Sequence, residues 1–231
     1  MATGQKLIID CSFDRHMSKI EYCAAAKHII RAFQANRNHR HPFHLTLCNA
    51  DLESNTIRRL LGSIPTLMDS CFPMSVHRED LTEIVPRERL VYLTQQSRND
   101  LTEFDSNHVY VMPAFIASSG QPPFCIARAK EKGVRMARLP FARHLNWRAG
   151  HGTKTPLNQM TQILLDVRSG ATWVEAFQHL PPRLKLNPTE ERKRKLVERT
   201  DQDSPFKLPE ITELADQRDS PSRNPFRLRR K

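Results

Sequence analysis

Apolar and polar positions along the chain fall into two rhythms. Short runs rich in Val, Ile, Leu or Tyr occupy residues 6–10, 43–48, 89–94, 108–112 and 134–138. Each is too short for a buried helix and is predicted to be a strand. Between the first two, Ile20, Cys23, Ala26, Ile30 and Phe33 recur at spacings of three and four, the mark of one helix face. Strand, helix, strand at this spacing implies a parallel sheet, because parallel neighbours need a crossover connection. Further helices are predicted at 54–67, at 97–104, and at 123–132 with Gly133 closing the last. In "TPLNQMTQILLDVRSG", Thr155 can act as N-cap, Pro156 as the first helical residue and Gly170 as the C-terminal stop. A short helix in "TWVEAFQHL" ends at Pro181 and Pro182. The expected fold class is α/β, a parallel sheet flanked by helices.

Length narrows this to one core. A chain of 231 residues with 39% hydrophobic content can hold one good-sized domain and a tail. After Arg183 the apolar residues scatter and charge of both signs becomes dense, with 14 basic and 9 acidic side chains from there to the end. Residues 1–183 are therefore expected to form the folded domain, and 184–231 a basic, disordered tail. The clusters "ERKRK" and "RLRRK" read either as solvated charge or as an arm that touches RNA or a partner protein.

Charge points to a partner. With 36 Lys+Arg against 25 Asp+Glu, the net charge is +11, which attracts polyanions and puts nucleic acid first. No apolar run approaches the roughly 18 residues that cross a bilayer, so no membrane role is expected. The five cysteines are odd in number, scattered and mostly in apolar surroundings, which reads as packed thiols in a reducing compartment. The N-terminus goes almost directly into a strand with neither a signal-peptide nor a transit-helix pattern. Either the protein is not imported or the start of a longer chain is missing.

The chemistry is first bounded by absences. There is no GxGxxG, no P-loop and no nucleophile elbow, and the seven glycines do not cluster in a βα turn. Nucleotide-phosphate cradles and triad hydrolases are poor fits. His39, His41 and His44 invite a metal reading, but no carboxylate or cysteine stands near them and Pro42 breaks the run. A polar loop, with phosphate contact as one use of it, is preferred, and no metal is expected.

What remains is an order of blocks: "LIIDCSFDRHM", "FHLTLCNAD", "VYLTQQSRNDLTEF", "VYVMPAFIASSG", "ARAKEKGVRMARLPF" and "TPLNQMTQILLDVRSGATWVEAFQHLPPR". This succession resembles the tRNA position-9 methyltransferase family of the SPOUT superfamily, and within it the mitochondrial members, from Leu7 to Arg183. The resemblance implies a C-terminal trefoil knot whose loops enclose S-adenosyl-L-methionine. It carries cofactor contacts onto Leu93, Thr94, Met112, Pro113, Ala114, Leu139, Thr155, Leu157 and Gln159. From the residues alone, Leu93, Leu139 and Leu157 read equally well as core leucines, and Thr155 and Gln159 as helix-capping residues. Arg98, Arg128, Lys130, Arg135, Arg138 and Arg143 flank these blocks and are the candidate RNA contacts.

The family pattern departs in one loop. Members typically carry "GGLVD" or "GSFVD" where this chain has Pro113, Ala114, Phe115, Ile116 and Ala117. Alanine at 117 in place of aspartate removes a candidate base, proline removes an amide donor, and alanine for glycine adds a methyl group. The resemblance thus leaves two expectations. One is an active methyltransferase on guanine or adenine N1 of tRNA. The other is a weak or inactive tRNA-binding subunit of mitochondrial ribonuclease P, partnered by a short-chain dehydrogenase scaffold and a protein-only nuclease. Either implies tRNA or precursor tRNA as partner and the mitochondrial matrix as location.

Overall fold

The protein was analysed as a computed structural model, which describes residues 4–115, 122–145 and 155–181. All of these lie in the first of two units into which the chain divides, Met1–Pro188. The predicted tail, Ala117, Ser118 and Ser119 lie outside the described residues. The elements in order are β1 (Lys6–Asp10), α1 (Lys19–Arg37), β2 (His44–Cys48), α2 (Asn55–Ser63), β3 (Ser75–Val76) and α3 (Leu81–Ile84). They continue with β4 (Leu90–Leu93), β5 (Val109–Pro113), α4 (Phe124–Glu131), β6 (Arg135–Ala137), α5 (Phe141–His144), α6 (Leu157–Arg168) and α7 (Trp173–Ala176). The strands pair in parallel in the order β3-β2-β1-β5-β4-β6. This is the expected α/β sheet, with one more strand, β3, too short at two residues for a periodic signal.

Helices cover both faces, as a parallel sheet requires. One apolar cluster joins β-strand residues Leu7, Ile9, Leu45 and Val91 to α1, α2, α6 and α7; the other joins Ile8, Tyr92 and Val111 to α4 and Leu81. Helix α1 starts at a full capping box, Ser18 with Glu21, and α7 at another, Thr172 with Glu175. Gly133 (φ 63°) and Gly170 (φ 98°) close α4 and α6 in the left-handed region, as their positions predicted. Among the described residues no helix is long and apolar enough to cross a membrane.

Three predicted features differ. The buried face of α1 is Ala25, Ala26, Ile29, Ala32, Phe33 and Asn36, while Ile20 is 82% exposed. Small residues line that face because α6 packs directly against α1, so bulk was a poor guide to burial. Residues 97–104 form no helix. There Ser97 Oγ accepts the Asn99 N–H, Arg138 N–H donates to Asn99 O, and Leu101 N–H donates to Arg138 O. The Ser97 side chain here competes with helical bonding, and the freed backbone bridges to the end of β6. Thr155 does not cap α6. The helix begins one residue later, after Pro156, and its first turn receives no side-chain cap.

Candidate functional site

Strands β5 and β4, and β6 beyond them, end on the same side of the sheet because all run parallel. Their register sets Leu93 beside Ala137, Met112 beside Ile9 and Pro113 beside Asp10. Thr94 N–H donates to Ala137 O at 2.9 Å, which binds the exit of β4 to the end of β6. Leu93, Met112, Ala114, Leu139 and Leu157 belong to one apolar cluster, each at most 2% exposed, and Thr94 and Thr155 are buried as well. Gln159 is half-buried one turn into α6, its N–H bonded to Pro156 O. The structure therefore sets Leu93, Thr94, Met112, Pro113 and Ala114 at the carboxyl ends of the strands, and it makes Leu93, Leu139 and Leu157 full members of the core on that face of the sheet.

The polar side of this site is spare. Pro113 has no N–H, and the Ala114 N–H is already donated to Asp10 O at 2.8 Å. Thr94 O accepts from Ser97 N–H, and Leu139 O accepts from Phe141 N–H. The first turn of α6, without a side-chain cap, leaves amides of the kind that meet a carboxylate or phosphate. An apolar wall of leucines beside such amides is chemistry that fits an adenosine with an attached amino acid.

The candidate RNA contacts divide. Arg98, Lys130 and Arg135 are exposed and have no carboxylate partner among the described residues. Arg138 and Arg143 both donate from Nε to Asp100, each at 2.6 Å, and those bonds hold the Asp100 carboxyl below the usual aspartate range. Arg128 faces inward. Its side chain is only 13% exposed, its Nη2 lies 2.8 Å from Asp80 Oδ2, and its Nε lies 3.5 Å from Asp10 Oδ2. It turns inward because a buried carboxylate waits for it.

That carboxylate, Asp10, is the feature the sequence reading missed. It is fully buried at the end of β1. Its Oδ1 accepts the Ser12 N–H at 3.1 Å and Asn49 Nδ2 at 3.0 Å, and its Oδ2 accepts Tyr92 OH at 3.0 Å. Asn49 adopts φ 50°, a left-handed conformation that asparagine tolerates, in order to reach it. Lys132 Nζ, 2.7 Å from Asp80, completes the set. Burial raises Asp80, but hydrogen bonds from Lys132 and Arg128 outweigh it and leave the carboxyl below its usual range. Burial, then the charge of Asp10, pushes the Cys125 thiol up to about 12 and raises Cys11, Cys48 and Tyr92 too, so these groups stay protonated. An acid ending the apolar run "KLIID", with a tyrosine inside "LVYL", was the available signal.

The histidines of the "NRNHRHPFH" segment take separate partners. His44 Nε2 shares a 2.7 Å hydrogen bond with Ser75 Oγ, whereas His39 Nε2 lies 3.8 Å from Asp166 and its Nδ1 accepts the His41 N–H.

Comparison with known proteins agrees with this geometry. A family model described as tRNA (guanine(9)-N(1))-methyltransferase TRM10/TRM10A matches residues 1–186. The chain is 38% identical over 183 residues to a Drosophila melanogaster mitochondrial ribonuclease P protein 1 homolog, covering 79% of this chain and 41% of that protein. It is 30% identical to the human tRNA methyltransferase 10 homolog C, covering 79% and 45% respectively. It thus spans less than half the length of these curated relatives. In fold it is similar to the full-length spTrm10–SAH complex, with a TM-score of 0.65, 24% identity, and coverage of 76% of this chain and 94% of the other. A Trm10 of Thermococcus kodakaraensis gives 0.57 at 16% identity, over 75% and 98%. The parallel sheet with its flanking helices is thus the SPOUT-type methyltransferase fold, and the chain belongs to the TRM10 family of tRNA methyltransferases.

Proposed function

We propose that the chain is the methyltransferase domain of a mitochondrial protein that acts at purine N1 of tRNA position 9 and takes part in 5′ processing. The observation that supports this is the burial of Leu93, Met112, Ala114, Leu139 and Leu157 in one apolar cluster, with Leu157 opening the uncapped first turn of α6. A trefoil knot through the segment from β4 to α6 belongs to the proposal. S-adenosylmethionine, when bound, supplies an electrophilic methyl group on a sulfonium sulfur. Leu93, Leu139 and Leu157 would hold its adenine, the α6 amides its carboxylate, and Thr94, Met112 and Gln159 the edges between them. The buried apolar set keeps water from the reacting atoms. Guanine N1 must lose a proton as the new N–C bond forms, and Ala117 offers no base for it. Adenine N1 has a free lone pair and needs none. The likeness to mitochondrial ribonuclease P protein 1 supports the mitochondrial matrix as the setting. Precursor tRNA as substrate, and a short-chain dehydrogenase scaffold and a protein-only nuclease as partners, belong to the proposal.

One observation favours the second reading, a catalytically weak tRNA-binding subunit. At Pro113 and Ala114, the first two positions of the departed loop, no amide is free to meet a cofactor. Calorimetry with S-adenosylmethionine decides between the two. Micromolar binding, with methylation of adenine-9 tRNA exceeding that of guanine-9 tRNA by mass spectrometry, is the expected result for the enzyme. No heat at millimolar cofactor removes the enzyme reading and leaves the subunit.

A further inference from the structure

Arg128, Lys132, Arg138 and Arg143 are spent on carboxylates, and Lys27, Arg31 and Arg59 on α1 and α2 are not. A groove of about 320 Å³ runs between these helices, lined by Ala26, Lys27, Ile30, Arg58, Arg59 and Gly62. Lys27 and Arg31 stand one turn apart on the exposed side of α1, and Arg59 rises from α2 opposite. None of the three has a carboxylate partner among the described residues, whereas Arg58 is paired with Glu53. Like charges at i and i+4 on a helix repel and lower stability slightly, so nothing in the fold itself rewards Lys27 beside Arg31. The floor is small and apolar, and a Cβ built on Gly62 meets nothing within 4 Å. A narrow trough with unneutralised cations on both walls suits a thin polyanion better than a folded acidic surface.

We propose that the α1–α2 groove binds the phosphodiester backbone of RNA, with Lys27 on one wall, Arg59 on the other, and exposed Arg31 one turn along α1 just outside the lining. The proposal rests on the reading of the chain as a tRNA-acting protein. It places this contact on the helices of the N-terminal half of the fold, away from the arginines paired with Asp100.

The test is fluorescence anisotropy of the full chain with transcribed tRNA across a salt series. The triple variant Lys27→Gln, Arg31→Gln, Arg59→Gln should lose roughly ten-fold in affinity near physiological salt and about two in the slope of log K against log salt. Gly62→Glu, which keeps all three cations and adds a charge of opposite sign to the trough, should weaken binding about three-fold without lowering the unfolding temperature. Unchanged affinity and slope in both variants, with the parent chain binding tRNA, overturn the proposal and leave the proposed function standing. Unchanged tRNA binding with lost binding of polyglutamate assigns the groove to an acidic protein and also overturns it. No tRNA binding by the parent chain removes the reading on which the proposal rests.

Discussion

The two sides of this molecule use the same residue types to opposite ends. Beside the end of the sheet, Arg128, Lys132, Arg138 and Arg143 all reach carboxylates, at distances from 2.6 to 3.5 Å. Between α1 and α2, Lys27, Arg31 and Arg59 meet none among the described residues. A count of basic residues near a motif treats the two sets alike. Geometry separates cations that hold the fold together from cations that project a field, and only the latter attract a polyanion at a distance.

The most damaging way to break the contrast is to remove the buried acid. Asp10→Ala takes the acceptor from the Ser12 amide, Asn49 Nδ2 and Tyr92 OH and leaves Arg128 with Asp80 as its buried partner, and should cost about 3 kcal/mol in urea unfolding. Adding Arg128→Met should restore part of that loss, because the two residues are coupled. Acid should loosen the paired side while sparing the other. Asp80 and Asp100 have folded pKa values below the ordinary aspartate value, so their stabilising effect is complete above about pH 4 and fades as pH falls further through the folded values. The urea midpoint should thus be level at neutral pH and decline below that point, and Asp100→Asn should flatten part of the decline. The same Asp100→Asn change frees Arg138 and Arg143, and should tighten tRNA binding by about three-fold, roughly 0.6 kcal/mol, read by anisotropy at constant salt. The smallest effect belongs to Arg138→Gln with Arg143→Gln. It should change the salt slope by less than one, well short of the change from the α1–α2 triple variant.

Much of the architecture could be read from spacing. The limits of β1 and the C-terminal end of α6 fell where the apolar run and Gly170 put them, because burial and backbone chemistry there agree, whereas α6 starts one residue later than expected. The site's leucines were named only through a family resemblance, since a leucine against a ligand and a leucine in a core carry the same sequence signal. The segment 97–104 failed for a different reason. Its Ser97 side chain bonds the local backbone, its Asp100 side chain holds Arg138 and Arg143, and Arg138, its partner across the sheet end, lies far along the chain. Arg128 failed because its fate depends on Asp10, 118 positions away in sequence. Pairings of that range leave no periodic trace.

The sheet ends on both sides in its shortest described strands, two residues at β3 and three at β6. Edges that brief present too few unpaired amides and carbonyls to template another strand. Neighbouring proteins are therefore turned away from the sheet's rim and directed to its helices. Among the described residues, these short edges favour assembly through side chains, where single substitutions can retune it, over assembly through shared backbone.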